Sequence, residues 1–253
     1  PNWSGFSVNS AGDINGDGLD DVIIGAYAAG GAYAAGGAYA IAPSGKPYAG
    51  ETYVLFGKSS GWGAHMDLSS LDGTNGFRLD GVATADYSGE SVSSAGDVNG
   101  DGFDDVIIGA FGAEPDGKDM QGATYVVFGK GSGWAPNLEL SSLNGANGFR
   151  FDGVNANDFS GRSVSNAGDI NGDGVDDIII GAPTNPDPMS VGAAESYVVF
   201  GKTSGWTANL DLSVLDGTNG FRFDGGGTSV SSAGDVNGDG YGDVIIGDGS
   251  SSY

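Results

Sequence analysis

The sequence contains no cysteine among its 253 residues, which excludes disulfide bonds, thiolate metal sites and cysteine nucleophiles. Basic residues are also scarce: 9 Lys and Arg stand against 33 Asp and Glu, for a formal net charge of −24. Such a surface repels nucleic acid and anionic lipid and attracts cations. Apolar runs are short, as in VIIGA and YVVF, and none approaches the ~20 residues of a membrane-spanning helix. We therefore expect no nucleic-acid partner and no membrane insertion.

Glycine is the abundant residue, at 50 positions, whereas proline occurs only 8 times. Glycine follows no every-third-residue register, so a collagen helix is excluded. Hydrophobic residues make up 39% and aromatic residues 10%, which is enough apolar surface for a packed core. The chain starts without a methionine or a signal peptide, which we interpret as a mature chain or a fragment of a longer protein.

The chain is an internal repeat. Variants of the phrase SVSSAGDVNGDGFDDVIIGA begin at Ser7, Ser91, Ser163 and Ser229. Between these phrases, YVLFGK-like, SGW and FRxDG segments recur in a constant order. The repeat divides the chain into unit 1 (1–76, with an Ala/Gly/Tyr-rich insert at 26–50), unit 2 (77–148), unit 3 (149–220) and a partial unit 4 (221–253).

Each full unit contains four short segments with strand character. The DVIIGA and YVVFG runs are typical of strands buried on both faces, and the SV and FRxDG segments supply two more. No window has a helical period with caps. The fold class predicted is all-β: a β-propeller-like array of four-stranded blades, with three full units plus a partial fourth. A parallel β-helix is the alternative, although its coils are usually shorter than these units.

The phrase DxNxDGxxD carries the strongest chemical signal. Carboxylate and amide oxygens at alternate positions of a tight turn converge on one point, and Ca²⁺ prefers about six to eight oxygen ligands. Each loop would use the side chains of its first, third, fifth and ninth residues and the backbone carbonyl of its seventh. The ligands predicted are Asp13, Asn15, Asp17, Leu19 and Asp21 in loop 1; Asp97, Asn99, Asp101, Phe103 and Asp105 in loop 2; Asp169, Asn171, Asp173, Val175 and Asp177 in loop 3; and Asp235, Asn237, Asp239, Tyr241 and Asp243 in loop 4.

The sequence therefore predicts about four Ca²⁺ ions, which act as the staple that disulfides provide elsewhere. The alternatives are Asx-turns that hold no metal and Mg²⁺, which rarely takes an all-protein cage. An EF-hand does not fit, because the twelfth position is isoleucine in all four loops and no helix flanks them. The eighth-position carboxylates Asp20, Asp104 and Asp176 are expected to lie outside the ligand set, next to it or facing solvent.

The DxNxDGxxD loops and the IIIGAP phrase that ends at Pro183 resemble the FG-GAP repeats of integrin α-subunit β-propellers. The resemblance covers nearly the whole chain, and this family's loops bind Ca²⁺ on one face of the propeller. Propellers of the family have about seven blades, whereas this chain has three full units and a partial one. Three explanations stay open: a piece of a longer protein, edge-to-edge assembly of copies, or a small closed propeller.

No catalytic set stands out. The single histidine, His65, is expected at the surface. The three SGW tryptophans, at 62, 134 and 206, are expected in packing between units, with a sugar-binding platform as the alternative. The repeat-fixed Lys and Arg residues are expected to pair with acidic groups. The tyrosines of the 26–50 insert form either a contact surface or a low-complexity loop.

These features predict a non-enzymatic, calcium-binding extracellular or cell-surface module for adhesion or matrix structure. Its partner would be a protein or glycan at that surface or matrix, or other copies bound through open blade edges. A self-assembling surface fibre subunit and a propeller attached to a hydrolase are the alternatives. The extracellular placement follows from loops of modest affinity, because extracellular modules bind Ca²⁺ with Kd of about 10⁻⁴–10⁻³ M.

Overall fold

The computed structural model describes residues 4–29, 45–184 and 194–249, and in that part of the chain it contains strands and single turns of 3₁₀-helix but no α-helix. The tyrosines at 33 and 39 of the insert lie outside the described residues. The strands are β1 (Ser7–Gly12), β2 (Asp21–Ala26), β3 (Glu51–Leu55), β4 (Gly76–Asp80), β5 (Val92–Gly96), β6 (Asp105–Ala110), β7 (Ala123–Val127), β8 (Asn137–Glu139), β9 (Gly148–Asp152), β10 (Ser163–Gly168), β11 (Asp177–Ala182), β12 (Glu195–Val199), β13 (Asn209–Asp211), β14 (Gly220–Asp224), β15 (Ser229–Gly234) and β16 (Asp243–Gly247).

The continuous β-branched runs form strands buried on both faces. In β6, Val106 and Ile108 pack in the core between units 1 and 2, whereas Ile107 packs in the core between units 2 and 3. All three side chains are fully buried. Successive residues of a strand point to opposite faces, so a strand that lies between two neighbours needs apolar residues at every position.

Each full unit folds into an antiparallel sheet of its four strands in chain order. The sheets are β1–β2–β3–β4, β5–β6–β7–β9 and β10–β11–β12–β14, and β15 pairs with β16 in a two-stranded sheet. The predicted four-stranded blades are thereby confirmed. Because β4, β9 and β14 complete these sheets, the sequence units that begin at 77, 149 and 221 start within the outer strand of the preceding sheet.

The sheets stack in a row through their first strands. Strand β1 contacts β5, β5 contacts β10, and β10 contacts β15. The arrangement is that of propeller blades around an axis, in an array that is not closed. No helix in the described part of the chain has the length and hydrophobicity needed to cross a membrane.

Two of the sheets each have a fifth strand, which the sequence pattern did not predict. Strands β8 and β13 follow the SGW phrases and pair in parallel with β4 and β9, the outer strands of the preceding four-stranded sheets. Each has only three residues, alternating between exposed and half-buried. So short a segment carries no readable period, and its place depends on a neighbouring sheet edge.

Two of the three SGW tryptophans, Trp134 and Trp206, pack between units, as predicted. Trp134 stacks on Phe77 of the preceding sheet, with ring centroids 4.2 Å apart and planes at 9°. Trp206 stacks on Phe149 in the same way, at 4.1 Å and 6°. Trp62 of unit 1 is 51% exposed.

This difference makes a matched pair of variants. Trp206→Ala removes an inter-unit stack and is expected to lower the free energy of unfolding by about 2 kcal/mol, because the ring is only partly buried. Trp62→Ala removes the same side chain where it is exposed and is expected to change stability by about 0.5 kcal/mol or less. Urea unfolding followed by far-ultraviolet circular dichroism measures both; equal losses would contradict the packing role.

The repeated basic residues divide into two groups. The arginines pair with acidic groups, as predicted: Arg78 with Asp80 at 2.6 Å, Arg150 with Asp152, and Arg222 with Glu195 at 2.9 Å. The lysines were expected to do the same, but each lies over the tryptophan four residues later, 4.5 Å from the ring centre for Lys58 and Lys202 and 4.7 Å for Lys130. The electron-rich face of the indole attracts the ammonium group there.

A buried carboxylate closes the turn between β4 and β5. Asp86 is 5% exposed, and its Oδ2 accepts a hydrogen bond from the amide of Ala83 at 2.8 Å. Burial raises the pKa of Asp86 to about 6, against the lowering effects of that amide and of Lys46. Asp158 repeats the arrangement in the next unit, accepting from the amide of Asn155 at 2.6 Å.

A raised carboxyl pKa in the folded state predicts a stability that falls as the pH rises through about 6. Near pH 4 the Asp86 carboxyl is protonated in the folded state, because its pKa there is about 6. Asp86→Asn is also uncharged and keeps an acceptor oxygen, so its free energy of unfolding should equal that of the wild type at this pH. At pH 8 it should be more stable by about 1 to 2 kcal/mol. Unfolding in chelator at both pH values tests this.

Asp67→Asn is the control for the Asp86 experiment. The exposed Asp67 carboxylate accepts from the amide of Ser69 at 2.9 Å, which lowers its pKa. Because the pKa of Asp67 is lowered and that of Asp86 is raised, Asp67→Asn should not increase the free energy of unfolding at pH 8. A gain equal to that of Asp86→Asn would point to a general effect of net charge.

Candidate metal-binding loops

The four aspartate loops lie at one end of the stacked sheets. Each connects the first strand of a unit to the second, after a register shift at the end of the first strand, as between Ser10 and Gly12. Gly12 has φ 67°, a conformation that glycine adopts without steric cost. The same shift occurs before loops 2, 3 and 4. The repeat therefore places all four predicted sites on one face.

The first aspartate of each loop lies at the centre of its turn. Asp13 Oδ1 accepts from the amide of Asp17 at 3.0 Å, and Oδ2 accepts from Gly18 at 2.8 Å. The pattern recurs at the first aspartates of loops 2, 3 and 4. A carboxylate has about four lone-pair sites, so two such bonds leave acceptor capacity for a cation.

The third and fifth residues make local turns. In loop 2, Asn99 Oδ1 accepts from the amide of Asp101 at 2.9 Å, and Asp101 Oδ1 accepts from Phe103 at 3.1 Å. These are the Asx-turns of the metal-free alternative. Each of these side-chain oxygens therefore already accepts a hydrogen bond from its own loop.

The ninth aspartate is the deepest group of loops 1 to 3. Asp105 is fully buried and accepts from the amide of Val98 at 3.1 Å and from that of Gly129 at 2.8 Å. Asp21 and Asp177 make the equivalent bonds. Gly129 follows β7, so this carboxylate joins its loop to the segment after the third strand.

The buried carboxylates are held close to other negative charges. Burial raises the pKa of Asp21 to about 6, its backbone hydrogen bonds oppose the rise, and repulsion from Asp17 and Asp13 adds to it. The pKa values of Asp105 and Asp177 are raised for the same reasons. Three carboxylates of one loop are therefore near enough to repel, and a divalent cation would offset that repulsion.

Loop 4 differs at its ninth residue. Asp243 is half-buried and accepts from the amide of Val236 at 2.8 Å. In loops 1 to 3 a second amide comes from the glycine after the third strand, which loop 4 lacks among the described residues.

The seventh residues have a second role. Their carbonyls were predicted as ligands, but their side chains also reach the preceding loop. A Cβ on Gly16 would lie 2.3 Å from Cε1 of Phe103, and one on Gly172 would lie 2.4 Å from Cε1 of Tyr241. These rings therefore cover the backbone of the neighbouring loop, so adjacent loops are in contact.

The donor chemistry of each loop fits Ca²⁺: three carboxylates, one amide oxygen and one backbone carbonyl, all hard oxygen ligands. In the described part of the chain, no three acidic or histidine side chains form a preorganised metal cluster. Each loop thus carries the oxygen donors within one turn, but their side chains are not arranged to coordinate a single ion. Binding would require the side chains to turn inward.

The three eighth-position carboxylates differ from one another in their surroundings. Asp20 is exposed, but Asp104 and Asp176 accept hydrogen bonds from the amides of Asp13 and Asp97 in the preceding loops, at 2.7 Å and 3.0 Å. A single sequence could not show this, because the partner lies 91 or 79 residues away. Their recurrence at one place in the repeat was the only available signal.

Comparison with known proteins agrees with this architecture. The FG-GAP repeat model matches residues 88–127 and 160–199. Integrin alpha-4 of Xenopus laevis is 32% identical over 68% of this chain and 14% of its own length. Integrin alpha-PS2 of Drosophila melanogaster is 32% identical over 96% of this chain and 16% of its own length. Integrin alpha-V of Gallus gallus is 27% identical over 97% of this chain and 20% of its own length. The chain spans 14 to 20% of the length of these three relatives. The repeated sheets, their loops and these matches show that the chain is an integrin-like member of the FG-GAP repeat family.

Proposed function

We propose that this chain is a non-catalytic, calcium-binding extracellular module that serves adhesion or cell-surface and matrix structure. The observation that carries the proposal is the fourfold occurrence, on one face of an integrin-like array, of a loop whose first carboxylate is at the centre of its turn. A cation held there would neutralise mutually repelling carboxylates. Four Ca²⁺ ions would change the formal charge from −24 to −16, so the loaded module stays acidic.

In each loop the ion would be held by the side chains of the first, third, fifth and ninth residues and by the carbonyl of the seventh. In loop 2 these are Asp97, Asn99, Asp101, Phe103 and Asp105. The ion supplies charge neutralisation and rigidity. The protein's own contribution is to keep the loop closed through the amide hydrogen bonds to Asp97 and Asp105.

Isothermal titration with calcium chloride tests the metal sites. The wild type is expected to bind about four ions, with Kd of about 10⁻⁴–10⁻³ M per site. Asp97→Asn removes one ligand carboxylate and should lose one site. Asp119→Asn removes an exposed acidic residue outside the loops and should keep all the sites. Absence of calcium uptake by the wild type, or equal loss in both variants, would refute the assignment.

The surface that we propose for a partner lies at the other end of the sheets, where β2–β3 and β6–β7 are connected. Tyr87 stacks on Phe111 with ring centroids 5.1 Å apart, Tyr27 lies 6.2 Å from Tyr87, and Phe159 lies 6.0 Å from Phe111. These half-buried rings form a row across units 1 to 3. Aromatic side chains are enriched in protein interfaces.

Backbone strain is concentrated beside this row. Tyr87 and Phe159 have φ of 54° and 52°, a left-handed conformation that costs bulky residues energy. A groove of about 460 Å³ adjoins Tyr87 and is lined by Asp86, Glu114 and Arg150 among others. Strain repeated in two units, next to a polar groove, supports a binding role for this end.

Solid-phase binding to matrix glycoproteins and glycans, with calcium or with chelator, tests the adhesive role. We expect calcium-dependent retention of the wild type, and a loss of about tenfold in affinity for Phe111→Ala, because aromatic anchors contribute much of interface affinity. Trp62→Ala removes an exposed ring outside the row and serves as the control. Retention by neither matrix proteins nor glycans would remove the adhesive role. Sizing at several concentrations tests the fibre alternative, which a strictly monomeric species would exclude.

A further inference from the structure

Adjacent calcium loops are joined by a pair of hydrogen bonds. At the junction of units 1 and 2, the amide of Asp13 donates to Oδ2 of Asp104 at 2.7 Å, and the amide of Asp104 donates to the carbonyl of Asp13 at 3.4 Å. At the junction of units 2 and 3, Asp97 and Asp176 repeat this exchange at 3.0 Å and 3.3 Å. We name this pair the inter-unit clamp.

The backbone of the preceding loop is shaped to receive the clamp. A Cβ on Gly12 would lie 2.2 Å from Oδ2 of Asp104, and one on Gly96 would lie 2.1 Å from Oδ2 of Asp176. Only glycine allows the carboxylate to approach this closely. The residue that follows each glycine is the first aspartate of the loop, so the clamp holds the backbone of the residue whose side chain is at the loop centre.

The third junction lacks the carboxylate. Gly242 takes the place of Asp104 and Asp176, and only its amide bonds to loop 3, donating to the carbonyl of Asp169 at 2.8 Å. The two backbones lie closer there because no side chain separates them. Loops 1 and 2 are therefore clamped by the next unit, and loop 3 is not.

We propose that Asp104 and Asp176 are positioning residues for calcium binding in the loop of the preceding unit, and that they raise the affinity of loops 1 and 2 above that of loop 3. The inference rests on the calcium sites proposed above. A clamped loop holds the backbone of its first aspartate in place before the ion binds, so binding costs less conformational entropy. Through the same bond, an ion in one loop stabilises packing against the next unit.

The sixth-position glycine amides report each loop separately. Gly18, Gly102 and Gly174 each donate to the first aspartate of their own loop, at 2.8, 2.8 and 2.9 Å, so an ion beside that carboxylate changes their chemical shifts. In a calcium chloride titration followed by ¹H–¹⁵N spectra, Gly18 and Gly102 of the wild type should reach half-saturation at about tenfold lower calcium than Gly174, the effect of one charge-assisted hydrogen bond.

Asp104→Ala should raise the midpoint of Gly18 about tenfold and leave that of Gly102 within about twofold. Asp104→Asn keeps an acceptor oxygen and should restore the Gly18 midpoint to within about threefold of the wild type. Asp20→Ala is the matched control, because it removes the same residue type from the same loop position where the carboxylate is exposed. It should leave both midpoints unchanged.

A midpoint change at Gly102 and not at Gly18 would overturn the proposal, since Asp104 would then act on its own loop. Equal midpoints for Gly18, Gly102 and Gly174 in the wild type would overturn it as well. If no glycine amide of the wild type responds to calcium, the proposed function fails first. Hydrogen exchange at the amide of Asp13 then judges the clamp alone: at least about fivefold faster exchange in Asp104→Ala than in Asp20→Ala supports it, and equal rates refute it.

Discussion

Removal of calcium by a chelator is expected to lower the midpoint of thermal unfolding by about 10 to 20 °C. An ion that binds only the folded state stabilises it, and at a tenfold excess over Kd each site contributes about 1.4 kcal/mol, or about 5 to 6 kcal/mol for four sites. A domain of this size shifts its midpoint by about 2 to 4 °C for each kcal/mol. Differential scanning calorimetry with 10 mM calcium chloride or with chelator measures the change.

Two controls separate calcium binding from screening of the acidic surface. Sodium chloride at matched ionic strength screens exposed charges and should raise the midpoint by only a small part of that amount. A variant with all four first aspartates replaced by asparagine (Asp13, Asp97, Asp169 and Asp235) should lose the calcium-dependent rise. A midpoint that is the same with calcium and with chelator in the wild type would contradict the stabilising role of the ion.

Phe149→Ala is expected to lower the free energy of unfolding by about 4 kcal/mol, the range measured for large aromatic residues in cores. The side chain is fully buried, lies against Phe128, Phe151 and Trp206, and occupies the core shared by units 2 and 3. Its removal leaves a cavity between two sheets and takes away the surface on which Trp206 stacks. Urea unfolding at fixed calcium concentration measures the loss.

Phe221→Ala is the matched control, because it removes the same residue from the same position of the outer strand in the next sheet, β14. Phe221 is only half-buried, and it contacts Phe200 and Phe223. We expect a loss of about 1 to 2 kcal/mol. A loss as large as that of Phe149→Ala would show that the stacked tryptophan adds little, and a negligible effect of Phe149→Ala would contradict the shared core.

The clamp gives the chain a way to link its repeated sites. In a repeat protein, stability is the sum of the units and of the interfaces between neighbours. Asp104 and Asp176 place an interface bond on the backbone of a proposed ligand, so unit packing and ion binding would favour each other. Gly242 removes this link at the last junction, and that contrast within one chain makes the effect measurable.

Some features could be read directly from the sequence, because they depend on local composition and spacing. The runs around Ile107 and Val126 are short, apolar at successive positions and rich in β-branched residues, which is typical of strands buried on both faces. The fourfold DxNxDGxxD phrase places its oxygen donors in one tight turn whatever surrounds it. Repetition then predicted a stack of similar four-stranded sheets.

Contacts between distant parts of the chain were decided only by the tertiary structure. Strand β8 has too few residues to be recognised from the sequence, and it forms only by pairing with the exposed edge of β4. Lys130 lies over the ring of Trp134 instead of pairing with an acidic group. Asp20, Asp104 and Asp176 look equivalent in sequence, yet among the described residues only the last two accept a hydrogen bond from the backbone of a neighbouring loop. Local pattern determined which strands and turns form, whereas the neighbour across each unit junction determined which side chains pack, pair or stay exposed, because those energies arise only when surfaces far apart in the chain meet.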